Sequence, residues 1–261
     1  MNTQFYSIKT KSNTHVGSGQ NSYGIVDNVV QKDYITELPC INSTSLKGAL
    51  REYADYKKWQ NLEDIFGSKP SEKDSNKLNQ GTHYFSQAYL LSFPMRSNNL
   101  QFFNVTCPIL LEHLIETLPE SNTLKTKLQN LLNKNEIKTI EKNAPISDKH
   151  NGFIVEKHSI KTKNIANIFD VEIKKLLGEN LLVMHDDTFK SLVKKLPIIT
   201  RNQLDNGQSA NLFYEEVVPR ETIFGFTIQA SSIESSFDSI TDIQIGANAT
   251  VGYGFCSTQK I

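Results

Sequence analysis

Apolar and polar positions alternate with a period of two in QFYSIKT (residues 4–10), which predicts a first strand. The pattern breaks in HVGSGQNSYG, where Gly17, Gly19 and Gly24 crowd into eight positions. That density predicts a loop with special backbone angles or a close approach to a ligand. YITELPCI (34–41) reads as extended into Pro39. In NSTSLKGALREYADYKKW the period lengthens: Leu46, Ala49, Leu50 and Tyr53 recur at helical spacing, with Ser43, Thr44 or Ser45 available to cap the start. LEDIFG predicts a second short helix ending at Gly67, and the polar run 68–81 a flexible surface loop.

Two strand patterns follow, THYFSQAYLLSFP and LQFFNVTCP, joined through MRSNN as a hairpin. Pro108 opens the helical stretch ILLEHLIETL, TLKTKLQNLLNK predicts another, and residues 134–165 are Lys-rich and less regular. HDDTFKSLVKKL predicts a helix capped by one of its Asp residues. The last third is strand-rich. LPIITRNQL and NLFYEEVV flank Asp205-Asn206-Gly207, a strong hairpin signal, and TIFGFTIQA is a further strand. IQIGANATVGYGFCS then carries Gly246, Gly252 and Gly254 in nine positions. No tandem repeat or heptad is present. An early β–loop–β–helix unit and a late set of strands predict one α+β domain over 1–261, with a helical insertion at about 108–195 and a hairpin at about 196–216.

Composition narrows the function classes. Lys plus Arg is 28 and Asp plus Glu is 28 in 261 residues, so the chain is not coated in basic charge. Any nucleic acid must be held by a local patch and by neutral donors such as backbone N–H, Ser, Thr and Asn. Cys40, Cys107 and Cys256 are far apart and form no CxxC pair, which predicts buried thiols in a reducing compartment. The opening MNTQFYSIKTKSNTH lacks the apolar core of a signal peptide, and no run approaches the ~18 apolar residues of a membrane span. The expectation is a cytoplasmic protein.

The sequence contains no GxxxxGK[ST], GxSxG or HExxH, and no pair of histidines at metal-ligand spacing. The C-terminal Gly-rich loop is either a turn that needs positive φ or a backbone cradle for RNA phosphates, with Tyr253 available to stack on a base. Lys47 and Arg51, four apart, are either a solvated face or a phosphate site beside the free N–H groups of a helix start. Asp27, in GIVDNVV, is either an Asx turn or a functional acid. His15 is either structural or functional. Glu215 and Glu216, adjacent in a strand, should point to opposite faces and so make a poor carboxylate dyad.

Taken in order, HVGSG, GIVDNVVQKDYITELPCINSTSLKGALRE, DIFGS and the terminal IQIGANATVGYGFC resemble the RAMP superfamily of CRISPR proteins. TRNQLDNGQSANLFYEEVVPRETIF resembles the branch that forms the repeated backbone subunit of type III-B (Cmr) effector complexes. Residues 68–81 and 120–195 carry no matching motif, and Tyr253 stands where the family often has a basic residue. The resemblance implies a ferredoxin-like (RRM-like) palm with a protruding thumb hairpin. It implies copies of the chain in a filament along a guide CRISPR RNA, with complementary target RNA and other Cmr-type subunits as partners. It implies too that the thumb displaces a target base pair at regular intervals and that target RNA is cut beside each displaced position.

The resemblance also implies that cutting needs Mg²⁺ or another divalent cation and depends on Asp27; Asp27 is then the candidate to orient the 2′-OH or to serve as the metal ligand, and His15 and Glu215 are secondary candidates for a supporting catalytic role. The candidate RNA-binding residues are Ser43, Ser45, Lys47 and Arg51 on the helix, Thr200 and Arg201 on the hairpin, and Gly246, Asn248, Thr250, Gly252, Tyr253 and Gly254 in the loop. The competing readings are a guide-RNA scaffold that does not cut, a guide-processing endoribonuclease, and the related type III-A (Csm) backbone subunit.

Overall fold

The computed structural model describes residues 1–20, 24–68, 79–98, 100–148, 153–155 and 159–261. The chain opens with β1 (Asn2–Thr10), β2 (Gly17–Gln20) and β3 (Asn28–Val30), then helices α1 (Ser43–Tyr56) and α2 (Leu62–Phe66). Strands β4 (Tyr84–Phe85), β5 (Tyr89–Arg96) and β6 (Phe102–Thr106) precede α3 (Pro108–Thr117), α4 (Thr123–Asn133) and α5 (Asn135–Lys138). Next come β7 (Ile146–Ser147), β8 (Phe153–Val155), β9 (Ser159–Lys161), β10 (Lys163–Asn164), α6 (Val171–Leu177), β11 (Leu181–Val183) and α7 (Asp186–Val193). The hairpin β12 (Ile198–Asp205) and β13 (Gln208–Glu216) is followed by β14 (Ile223–Ala230), β15 (Asp242–Gln244) and β16 (Phe255–Lys260).

Among the described residues, ten strands form one sheet in the order β10-β7-β11-β6-β5-β14-β1-β16-β15, with β4 beside β14. β1 lies antiparallel between β14 and β16, with Phe5 opposite Thr227 and Ile8 opposite Thr258. Alternation sends successive side chains to opposite faces. Tyr6, Ile8, Leu90, Phe224, Phe226 and Ile228 pack with Leu46 and Leu50 of α1 on one face. Phe5, Leu91 and Ile223 pack with Leu111, Leu128 and Ile173 of α3, α4 and α6 on the other. Gly225 opens room on that second face: a Cβ there would sit 2.4 Å from the Phe5 ring and 2.9 Å from a Leu91 methyl. The result is a mixed α+β architecture around one large sheet.

Several expected elements change on folding. The pattern at 82–94 is two strands, β4 and β5, separated by a bridge from Ala88 to Ile41. Gly17–Gln20, expected as a loop, is a strand because Gly17 and Gln20 pair with Val30 and Asn28. Residues 34–36 form a turn rather than extended chain, held by Asp33, whose Oδ1 accepts the Thr36 N–H at 2.8 Å and the Ile35 N–H at 3.2 Å. Between residues 108 and 195, helices alternate with short strands, and β7, β10 and β11 extend the large sheet. Helix α7 is capped by His185, whose Nδ1 accepts the Asp187 N–H at 3.2 Å. Asp186 instead accepts the Ile109 N–H at 3.0 Å and so caps α3 from a distance. Of the predicted loop 68–81, residues 69–78 lie outside the described residues.

A second sheet, β12-β13-β3-β2, carries the candidate site. Its hairpin turns through Asn206 (φ 49°) and Gly207 (φ 80°), the two-residue turn that an Asn-Gly pair favours.

Candidate functional site

The site begins where β3 meets the root of the hairpin. Asn28 lies beside Glu215 in a parallel pairing. One residue earlier, the Asp27 N–H donates to the Tyr214 carbonyl at 3.1 Å, and Asp27 Oδ2 accepts the Tyr214 N–H at 2.8 Å. Asp27 is exposed, and among the described residues its Oδ1 has no partner. The backbone thus pins an ionisable group in place while leaving half of its carboxylate open to solvent.

Behind this loop is a buried polar cluster. Glu215 is 3% exposed. Its two oxygens accept from Asn248 Nδ2 at 2.9 and 3.1 Å, and Oε2 also accepts from Arg201 Nη1 at 3.3 Å. The Arg201 guanidinium carbon lies 5.5 Å from the centre of the Phe213 ring and 5.9 Å from that of Tyr253. Burial, and then the Glu215 carboxylate, push the Tyr253 phenol pKa up, while Arg201 works the other way.

His15 is also buried. Its Nδ1 lies 2.7 Å from the Glu216 carbonyl, which can only accept, so Nδ1 carries the proton. Nε2 then faces Glu215 Oε1 at 3.9 Å, beyond hydrogen-bond reach. Glu216 turns the other way, as strand alternation requires. It accepts the Val30 N–H at 3.2 Å and pairs with Lys32 Nζ at 2.9 Å.

The Gly-rich loop closes over the same cluster. Gly246 (φ 90°) lies so near His15 that a Cβ would meet the His15 carbonyl at 2.3 Å, and the Ala247 N–H donates to that carbonyl at 2.9 Å. Gly254 N–H donates to the Asn13 carbonyl at 2.9 Å. Asn248 takes a left-handed φ of 64°, and its carbonyl accepts the N–H groups of Val251 and Tyr253 at 3.1 and 3.2 Å. Gly252 (φ 88°) has no atom within 4 Å of an added Cβ, so its need for glycine is conformational and its outer face is open. Thr250 and Thr200 are exposed, Thr200 directly across from Tyr214.

The helix start is built differently. Its cap position is Asn42, not Ser43, Thr44 or Ser45, and no side chain caps it. The first N–H with an acceptor is that of Leu46, bound to the Asn42 carbonyl at 3.0 Å; those of Ser43, Thr44 and Ser45 have none among the described residues. Ser45 Oγ is occupied by Gln31 Nε2 at 2.9 Å. Gln31 is the residue that sequence reasoning missed. Buried after β3, it also donates to the Gly17 carbonyl at 3.1 Å and accepts the Asn42 N–H at 2.7 Å, tying the helix start to the sheet that holds Asp27. Only its position in the apolar run VVQ hinted at burial.

Lys47, with Ser43 and Thr44, lines a cleft of about 200 Å³ that also includes Gln80 and Tyr84. Arg51 turns away: Nη1 donates to the Ser68 carbonyl at 3.4 Å, and its Nε is buried.

For a divalent cation, the described residues offer no group of three His, Cys, Asp or Glu side chains. The free oxygen of Asp27 fits the one- or two-carboxylate habit of Mg²⁺, whose remaining ligands come from water and phosphate. No helix among the described residues is long and apolar enough to cross a membrane.

The RAMP superfamily profile matches residues 7–257, and the chain belongs to that superfamily. Within it, the chain is 27% identical over 286 aligned positions to the CRISPR system Cmr endoribonuclease Cmr4 of Pyrococcus furiosus, with 98% of this chain and 94% of that protein covered. A chain in the type III-B Cmr-beta complex bound to cognate target RNA superposes with a TM-score of 0.79 at 20% identity, covering 100% of this chain and 97% of that one. A chain of oligomeric Cmr4 from Pyrococcus furiosus superposes with a TM-score of 0.64 at 20% identity, covering 100% and 99%. At those identities the two superpositions establish a shared fold.

Proposed function

We propose that the chain is the repeated, guide-RNA-binding backbone subunit of a type III-B (Cmr) CRISPR ribonucleoprotein and that it cuts complementary target RNA. The observation that carries the cutting role is the exposed Asp27 carboxylate, pinned by the Tyr214 N–H at the root of an exposed hairpin. Near end-to-end similarity to a Cmr endoribonuclease supports the rest. The strands β16-β1-β14-β5 lie in chain order 4-1-3-2, all antiparallel, and we read them as a ferredoxin-like palm within a single domain. Helix α1 connects the first two of these strands, and the 3₁₀ turn at Ser235–Ser239 stands where a second helix would lie. The hairpin is the thumb.

In this reading the open N–H groups of Ser43, Thr44 and Ser45, the Lys47 ammonium and the outer face of the Gly252 loop hold guide phosphates, and Tyr253 stacks on a base. The thumb displaces a target nucleotide, which frees the RNA backbone to reach the in-line geometry that a regular A-form duplex forbids. The nucleophile is the target's own 2′-OH: its oxygen bonds to the adjacent phosphorus as the bond to the 5′-oxygen breaks, leaving a 2′,3′-cyclic phosphate on one fragment and, after that oxygen gains a proton, a 5′-hydroxyl on the other. With one carboxylate oxygen held by the Tyr214 N–H, Asp27 orients the 2′-OH or holds a hydrated cation. A bound Mg²⁺ would offset negative charge on the phosphate. Burial keeps His15 and Glu215 from touching RNA, so they serve as positioning residues.

The test is assembly on a guide RNA. Mass photometry should show a ladder of added subunits, and the assembly should cut complementary RNA and spare a scrambled one. A strict monomer at saturating guide would refute the backbone role.

A further inference from the structure

We propose that Glu215 locks the thumb hairpin and the Gly-rich loop into one body and thereby fixes where target RNA is cut relative to the bound guide. This rests on the functional reading above for the cutting, though the lock itself does not. Glu215 lies on β13 and is 3% exposed, a degree of burial that a carboxylate tolerates only where its oxygens are satisfied. Both oxygens are satisfied from across the site, by the Asn248 amide at 2.9 and 3.1 Å.

Asn248 is the residue from which the loop hangs. Its φ is 64°, and its carbonyl gathers the N–H groups of Val251 and Tyr253. Arg201, on the facing strand, holds Glu215 at 3.3 Å and places its guanidinium near both the hairpin's Phe213 and the loop's Tyr253. On the opposite side, Asp27 is bound to Tyr214, the residue just before Glu215. Loop, thumb and candidate cutting group therefore converge on two consecutive residues. The Asn248 side-chain nitrogen and main-chain carbonyl and one guanidinium nitrogen of Arg201 are engaged here, and in this proposal both residues act through Glu215 as positioning residues rather than as RNA contacts.

Two variants separate the lock from the fold. Asn248→Gly accepts the left-handed backbone and removes the amide; Arg201→Met keeps an apolar stem by the rings and removes the charge. In the guide-loaded assembly, cut positions on end-labelled complementary RNA are mapped at nucleotide resolution. A misplacement of about 1 Å can cost roughly 10²-fold, so each variant should lose roughly tenfold or more of cutting at the native position and gain cuts at neighbouring nucleotides. The double variant should be no worse than Asn248→Gly, because Arg201 acts by holding Glu215 against Asn248.

Amide hydrogen exchange on the same assembly tests the lock without cutting: Arg201→Met should speed exchange at Val251 and Tyr253, across the site from the substitution. Wild-type cut positions and wild-type loop exchange in both variants overturn the proposal, as does strict additivity in the double. Wild-type protein that fails to cut refutes the functional reading instead, and the exchange result still decides the lock.

Discussion

At the root of the hairpin, Glu215, Glu216, Val217 and Val218 are buried, and each glutamate is fully engaged. Further out along the same two strands, residues 205–212 are all exposed. Strand pairing is common to both halves, so backbone hydrogen bonds do not distinguish them. What differs is the layer beneath: among the described residues the root sits on β3, His15 and the Gly-rich loop, and residues 205–212 of the arm stay exposed. In the function proposed above, a buried root and an exposed arm suit a device aimed by one subunit and spent on a partner.

The largest effect should come from the root. Asp27→Asn keeps the shape and removes the charge, and cutting should fall at least ~10²-fold while assembly size stays the same. EDTA should abolish wild-type cutting, and a 2′-deoxy nucleotide 5′ of the cut should block it. Full activity of Asp27→Asn in Mg²⁺ would remove the ionic role and leave a scaffold. Next, Glu216→Ala strips a buried partner from the Val30 N–H and Lys32. It should destabilise the protein by ~1–3 kcal/mol in urea titration, whereas Gln208→Ala on the arm should stay within ~0.5 kcal/mol. Equal effects at the two positions would erase the contrast.

Among the described residues, the same difference between an unengaged group and a held one recurs on α1. Lys47→Ala should lower the salt slope of guide binding by ~0.7, and Arg51→Ala, tied to Ser68, by less. Smallest of all, replacing residues 204–210 by Asn-Gly should leave stability within ~0.5 kcal/mol, since Gln203 and Asn211 already face each other, yet should disturb the spacing of cuts. Lost guide binding in that folded variant would mean that the arm grips the guide.

The elements legible in the sequence were those whose own residues dictate them. TIFGFTIQA reads as a strand and Asn206-Gly207 as a hairpin signal, because local residue preferences point to both; the burial of the strand and the two-residue length of the turn come from the structure. Strand β2 was hidden because its glycines carry no apolar signal; its pairing to Val30 makes it a strand. Helix α6 was hidden among lysines, although Asp170 caps it and Ile173, Leu176 and Leu177 are buried; its Lys174 is buried too, with its ammonium on Asp148 at 2.7 Å. The candidate site divides in the same way. Asp27, Glu215 and the Gly-rich loop could be named from motifs. The contact between Glu215 and Asn248 spans 33 positions, and Gln31's three side-chain hydrogen bonds, reaching 11 to 14 positions, follow no periodicity.

The three cysteines have a practical consequence. All are free and buried, and burial raises the thiol pKa to about 12 for Cys40 and Cys256 and well above its ordinary value for Cys107. At neutral pH they carry almost no thiolate, the form that maleimides attack. A single cysteine placed on the arm, such as Ser209→Cys, would therefore be the one fast-labelling thiol in an otherwise native background. A fluorophore there would test whether the arm moves when target RNA is added, without removing any natural cysteine first.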